Sequence, residues 1–164
     1  MLPFKWKIFR IVNYAYVAGV AALIIILLYW AGGLRFSNRQ DFLFFLLFIT
    51  CALCLMTNGS LNVYLLEKCY PDKYPSRVFL ITNTILLILS VLILLFLVFI
   101  AGWGIYEEVR RPRQYNRYIM QGRLLLLLVS TISLTGLYSC CFQLHLRRVI
   151  RRNHLAILNN FLES

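Results

Sequence analysis

Four long runs of apolar residues, separated by short polar segments, occupy most of the chain. An α-helix rises about 1.5 Å per residue, so about 20 apolar residues cross the hydrocarbon core of a bilayer, which is about 30 Å thick. The runs contain no Asp, Glu, Lys or Arg. The pattern predicts four transmembrane helices, at Ile11–Ala31, Phe42–Leu66, Val78–Trp103 and Leu124–Leu146.

The second run is the least regular of the four. Polar residues interrupt it from Thr57 to Asn62, and apolar residues resume at Val63. A local break or a short re-entrant stretch is one interpretation, provided that protein or water covers the freed backbone groups. We favour the other interpretation, an unbroken helix.

Beyond the fourth run, residues 147–163 form an amphipathic pattern. Apolar residues recur there at helical spacing, and no Gly or Pro follows Leu146 to end the helix. The pattern predicts a C-terminal helical extension whose apolar stripe mediates association with another copy of the chain or with a partner. A stripe that lies on anionic lipid is the alternative. The stripe residues are Ile150, Ile157, Leu158 and Phe161, flanked by His154, Leu155 and Leu162.

The composition agrees with a membrane protein. Of 164 residues, 61% are apolar and 14% are charged, whereas soluble domains average about 45–50% apolar and about 25% charged residues. The polar segments between the runs are too short to fold alone. The sequence therefore predicts an all-α, polytopic membrane protein that forms a single four-helix membrane domain.

Basic residues give the chain a net charge of +11 and indicate its orientation. With four crossings, ten Lys and Arg lie on the side of the two termini and the second loop, and seven lie on the other side. The positive-inside rule then predicts cytoplasmic termini in a plasma or inner membrane. The five arginines of the third loop argue against this orientation, so a dual or inverted topology stays open.

The same basic residues predict contacts with anionic lipid headgroups. Residues 3–10 mix aromatic and basic side chains, as in a short collar that lies among the headgroups. Nucleic-acid binding is not expected, because the third loop, which is rich in Arg and Tyr, falls on the non-cytoplasmic side. The headgroup contacts are expected at Lys5, Lys7, Arg10, Arg147, Arg148, Arg151 and Arg152.

Polar side chains within the runs fall at a common depth, in the half of the membrane that bears the termini. Asn58 and Asn62, for example, are four residues apart and share one helix face. An amide exposed to lipid would be unsatisfied, so we expect these residues to face the bundle interior or a neighbouring subunit. They form either a set of interhelical hydrogen bonds or the lining of a hydrated pocket or pore. This polar layer is Asn13, Asn58, Asn62, Thr82, Asn83, Thr84, Ser139, Gln143 and His145.

Residues suited to catalysis or metal binding are sparse. The six acidic residues lie in loops or the tail, and the two histidines do not converge with them. The C-x-x-C of Cys51 and Cys54 lies inside an apolar run, where packing is the expected role, as it is for Cys140 and Cys141. Cys69 is expected to be a free thiol in the second loop. We predict no cofactor or metal site.

These features predict a non-enzymatic membrane subunit that oligomerises or anchors a membrane-protein partner. Two alternatives remain at this point. One is a pore or small-solute permeation subunit lined by the polar layer. The other is a lipid-modifying enzyme that uses Glu107 and Glu108, although neighbouring arginines make a solvated, salt-bridged turn a simpler explanation of that pair.

Overall fold

The computed structural model describes residues 3–33, 39–71, 73–110 and 117–162, with side chains for 3–29, 42–71, 73–107, 109–110 and 122–159. Throughout these segments the regular structure is helical, which confirms the predicted all-α architecture. All four α-helices are long and apolar enough to cross a membrane. They are α1 (Phe4–Gly33), α2 (Arg39–Tyr64), α3 (Arg77–Arg110) and α4 (Arg117–Leu162).

The helices are longer than the apolar runs that predict them. Lys and Arg are good helix formers, so charged flanks extend a helix beyond its apolar segment. At the start of α3, Ser76 supplies an N-cap, because its Oγ accepts a hydrogen bond from the Phe79 backbone N–H at 3.3 Å. The predicted C-terminal extension is continuous with the fourth span in one 46-residue helix.

Helix α2 passes through its polar stretch without a break, as favoured from the sequence. Thr57 and Ser60 donate hydrogen bonds to carbonyl oxygens one turn earlier in the same helix, at 2.8 and 2.9 Å. The helix itself therefore satisfies these hydroxyls. The irregularity comes later, in a π-helical turn at Leu65–Cys69. Cys69 is buried in this turn as a free thiol, so its assignment to the second loop was wrong.

The predicted collar at residues 3–10 is also corrected. From Phe4 onward it forms the first two turns of α1, and Trp6 and Phe9 are fully buried. These two side chains are three positions apart and therefore share a helix face that packs against the chain's own helix ends. We call the resulting group the terminal cluster: Trp6, Phe9, Leu65, Leu66, Cys69, Leu146 and Ile150.

The four helices form a ring in which each helix packs against the next and α4 returns to α1. The main core lies inside this ring, and Tyr16 of α1 is nearly fully buried in it. Two glycines approach the Tyr16 ring. A Cβ added to Gly59 of α2 would lie 2.9 Å from Tyr16 Cδ1, and one added to Gly136 of α4 would lie 2.8 Å from Tyr16 Cε2. Glycine at these positions lets α2 and α4 approach α1 closely.

Candidate functional site

Six of the nine residues predicted to form the polar layer have almost no exposed surface, and every helix contributes at least one of them. Within each helix they share one face, since Asn58 and Asn62 are four residues apart, as are Ser139 and Gln143. They lie between the helices of a single chain. The six are Asn13, Asn58, Asn62, Asn83, Ser139 and Gln143.

A three-way hydrogen-bond network joins α1, α2 and α4 within this layer. Ser139 Oγ donates to Asn13 Oδ1 at 2.6 Å, and Asn62 Nδ2 donates to Ser139 Oγ at 2.8 Å. Asn62 Nδ2 also approaches Asn13 Oδ1 at 3.4 Å, and Asn13 Nδ2 donates to the Phe9 carbonyl oxygen at 2.9 Å. The Asn13 side chain therefore forms hydrogen bonds with its own helix and with α2 and α4.

Two further contacts extend the layer to the remaining helix and along α2. Gln143 Nε2 on α4 donates to Asn83 Oδ1 on α3. Asn58 Nδ2 on α2 points to Cys140 Sγ on α4 at 3.8 Å, a weak sulfur acceptor. Together with the three-way network, these contacts connect all four helices through side-chain amides.

The layer satisfies only part of its own hydrogen-bonding capacity. Among the described residues, no partner is found for Asn58 Oδ1, Asn62 Oδ1, Gln143 Oε1 or Asn83 Nδ2. A buried polar atom without a partner costs roughly 1–3 kcal/mol. The arrangement can therefore specify which helices meet and in what register, while three carbonyl oxygens and one amide N–H₂ group keep unused hydrogen-bonding capacity among the described residues.

The other three predicted layer residues are not brought into the network. Thr82 and Thr84 flank Asn83 in sequence and are exposed, because successive residues on a helix are about 100° apart and only one of three can face inward. His145 is also exposed, and its ring stacks on Trp6 with centroids 5.8 Å apart. It belongs with the terminal cluster rather than with the buried amides.

The C-terminal stripe is divided by the fold. Ile150 is 2% exposed within the terminal cluster, so its inclusion in the association stripe was wrong. The connection between α2 and α3 packs against the next turn of α4. His154 on α4 stacks on Tyr74 with ring centroids 5.1 Å apart, and Asn153 Nδ2 donates a hydrogen bond to the Pro71 carbonyl oxygen at 3.0 Å.

Farther along α4 the apolar side chains are open. Leu155 is 48%, Ile157 37% and Leu158 45% exposed. The side chain of Phe161, the last predicted member of the stripe, lies outside the described residues. The exposed apolar side chains therefore begin at Leu155, five residues after Ile150, where the predicted stripe begins.

The basic residues predicted to contact headgroups lie at the same end of the bundle, and most of them are exposed. Arg10 is half-buried. Arg147 is half-buried too, and its Nη1 donates to Thr84 Oγ1 at 2.9 Å. Its Nε and Nη2 atoms are buried without a hydrogen-bond partner among the described residues. The exposed members are Lys5, Lys7, Arg148, Arg151 and Arg152.

Reactive groups are scattered in the part of the chain with described side chains. All five cysteines are free thiols, with Cys140 buried beside Asn58 and Cys141 exposed on the outer side of α4. No three His, Cys, Asp or Glu side chains gather closely enough there to hold a metal ion. Of the acidic pair considered for catalysis, Glu107 is half-buried, and the side chain of Glu108 lies outside the described residues.

Tyr16, Gly59 and Gly136 are structural residues that the sequence pattern does not single out. A glycine within an apolar run is a signal of close helix approach, and both glycines carry that signal. The signal does not reveal which neighbouring helix approaches the glycine.

No protein-family model, curated protein or solved structure matches the chain.

Proposed function

We propose that this chain is a non-enzymatic integral membrane subunit that associates, through the end of α4, with a second copy or with a partner protein. The observation that carries the proposal is the exposure of three apolar side chains near the end of α4, Leu155, Ile157 and Leu158, which spread over about half of the helix circumference at about 100° per residue. These side chains lie on the far side of four arginines, where a helix that leaves a bilayer meets water. Exposed apolar groups grouped in this way favour contact with another surface.

The geometry of α4 supports a preformed helix that carries these exposed side chains. From Arg147 to Leu162 the helix continues for about 24 Å at 1.5 Å per residue. Its first turns are fixed to the bundle by Ile150 in the terminal cluster and by His154 against Tyr74. A partner would therefore meet a preformed helix, and ordering that surface would add little to the entropy cost of binding.

The polar layer has a structural role in this proposal. Its six buried residues direct their polar atoms to one another and into the interior of one chain. This arrangement supports interhelical hydrogen bonding rather than a pore, because a pore shared by several copies needs amides that face a common axis outside each chain.

We place the protein in a plasma or inner membrane with both termini in the cytoplasm. The excess of basic residues on that side supports this orientation. Lys5, Lys7, Arg148 and Arg152 are exposed at the corresponding end of the bundle, where anionic headgroups are their natural counter-ions. In this orientation the exposed apolar side chains at the end of α4 lie in the cytoplasm.

The proposal is tested by the triple variant Leu155→Ser, Ile157→Ser and Leu158→Ser. In analytical ultracentrifugation we expect the wild type to sediment as a larger assembly, and the triple variant to insert into membranes as the wild type does but to lose that assembly. The matched control is Ala156→Ser with Asn159→Ser, which changes exposed residues of the same turns and removes little apolar surface. An unchanged assembly in the triple variant would contradict the proposal.

A further inference from the structure

Two grooves meet at Arg147 on the outer side of α3 and α4. The first, of about 470 Å³, runs along the two helices and is lined mainly by apolar side chains such as Ile88, Leu92 and Leu137. The second, of about 310 Å³, lies beside the connection that precedes α3. Thr84, Leu144 and Arg147 line both grooves, so the two adjoin at these side chains.

The second groove is strongly basic. Arg147, Arg148 and Arg151 line it, while Tyr74 and Pro75 form its opposite wall. In the part of the chain with described side chains, no carboxylate forms an ion pair with these arginines. The site thus collects three positive charges without a counter-ion among the described side chains.

Arg147 links the charge to the apolar groove. Its guanidinium donates to Thr84 Oγ1, and the Nε and Nη2 atoms are buried without a described partner. A partly buried charge in this state is unfavourable unless an anion lies nearby. A phosphate group suits it, because guanidinium groups bind phosphate oxygens in a planar, bidentate manner.

The apolar groove has the dimensions of a lipid chain site. From Thr84 to Leu92 it extends about 12 Å along α3, at 1.5 Å per residue. One leaflet of the hydrocarbon core is about 15 Å thick, half of the usual 30 Å. The groove therefore accommodates most of an acyl chain that descends from the arginines toward the middle of the bilayer.

We propose that this composite groove is a binding site for one anionic glycerophospholipid. Its phosphate lies at Arg147, Arg148 and Arg151, and one acyl chain lies between α3 and α4. The inference rests on the proposal that the four helices cross a bilayer, and it is independent of association through the end of α4. It differs from general headgroup contact because Lys7 and Arg152, although basic and exposed, do not line the groove.

The test uses the purified full chain in detergent, with lipid retention measured by native mass spectrometry. The probes are phosphatidylglycerol and phosphatidylcholine with identical acyl chains. We expect the wild type to retain one phosphatidylglycerol under conditions that remove phosphatidylcholine. Equal retention of the two lipids would overturn the proposal.

Charge variants locate the headgroup. Arg148→Gln with Arg151→Gln should weaken phosphatidylglycerol binding about twenty-five-fold, taking roughly fivefold for each arginine near an anionic headgroup. The matched control, Lys7→Gln with Arg152→Gln, makes the same change in net charge outside the groove and should keep near-normal affinity. Similar losses in both double variants would show nonspecific attraction and contradict a built site.

A steric variant locates the acyl chain. Ile88→Trp fills the apolar groove from an exposed position, so it should reduce retention while leaving the fold intact. Ile85→Trp is the control, because Ile85 is similarly exposed on α3 and lines neither groove. No difference between the two variants, or full displacement of the lipid by excess inorganic phosphate, would leave an anion site without an acyl chain and overturn the lipid assignment.

Membrane insertion is tested separately from lipid binding. Carbonate extraction of cell membranes tests whether the chain is integral. A chain that is released by carbonate contradicts the proposed function itself. A chain that stays in the membrane but retains no phosphatidylglycerol contradicts the lipid site alone.

Discussion

Asn62 on α2 donates a hydrogen bond to Ser139 on α4 across 2.8 Å, and neither side chain has exposed surface. The two residues are 77 positions apart in sequence. Lipid offers no hydrophobic driving force for helix association, so buried polar contacts and close packing decide which helix faces meet. The Asn62–Ser139 hydrogen bond, with Asn13 as its third member, fixes the pairing of α1, α2 and α4 at one depth.

A double-mutant cycle on Asn62→Ala and Ser139→Ala measures this hydrogen bond. We expect a coupling of about 0.6–2 kcal/mol in the free energy of unfolding, the range found for hydrogen bonds between membrane helices. The measurement is reversible unfolding in detergent. As a control, the same cycle with Ser60→Ala in place of Ser139→Ala should give no coupling, because Ser60 is exposed and bonds its own helix. Equal coupling in both cycles would contradict a specific contact.

Removal of one partner of the Asn83–Gln143 hydrogen bond should destabilise the protein more than removal of both partners. Asn83→Leu leaves the Gln143 amide buried without a partner and should destabilise the protein by about 1–3 kcal/mol. The double variant Asn83→Leu with Gln143→Leu should recover most of this loss, since each amide already has one unsatisfied group. Unfolding in detergent checks the prediction, and additive losses in the double variant would refute it.

Close approach at Tyr16 predicts that Gly136→Ala is destabilising. The new Cβ would lie 2.8 Å from both Tyr16 and Leu94, so side chains or helices must shift, at about 1–3 kcal/mol. Gly102→Ala is the matched control on α3, where a Cβ meets nothing within 4 Å. The control should be neutral or stabilising by up to about 1 kcal/mol, because Ala is the better helix former. Equal thermal stability of the two variants would argue against tight packing of α4 on α1.

Cytoplasmic termini predict the labelling pattern of single cysteines in a background without the native thiols. A cysteine at Asn159 should resist an impermeant reagent added outside intact cells and react after the cells are opened. Val109 lies near the C-terminal end of α3, which is on the opposite side of the membrane in this orientation. A cysteine at Val109 should therefore react with the reagent added outside intact cells. Rapid external labelling at position 159 would show an inverted or dual orientation.

Much of this architecture follows from the sequence because each signal is local. Apolar length predicts the four helices, and the absence of Gly or Pro after Leu146 predicts that α4 continues. The inward position of Asn58 and Asn62 follows from their four-residue spacing and from the penalty for an amide in lipid. These inferences need no knowledge of which helices are neighbours.

The remaining features depend on tertiary neighbours. Trp6 and Ile150 are apolar residues in basic segments, and only the packing of α1 against α4 decides that they are buried rather than exposed. Thr84 resembles Asn83 in depth and polarity, but a rotation of about 100° along the helix turns it outward to Arg147. The adjacency of the basic and apolar grooves likewise requires α3, α4 and the connection before α3 to be placed together.

The most direct test of the central claim is the mass of the wild-type particle extracted from membranes in polymer-bounded lipid discs, without detergent. Association through the end of α4 predicts a protein mass above that of one 19.2 kDa chain, either as an integral number of copies or with one partner in fixed stoichiometry. The Leu155→Ser, Ile157→Ser, Leu158→Ser variant should then yield single chains. A wild-type particle that contains one chain and no other protein would contradict the account.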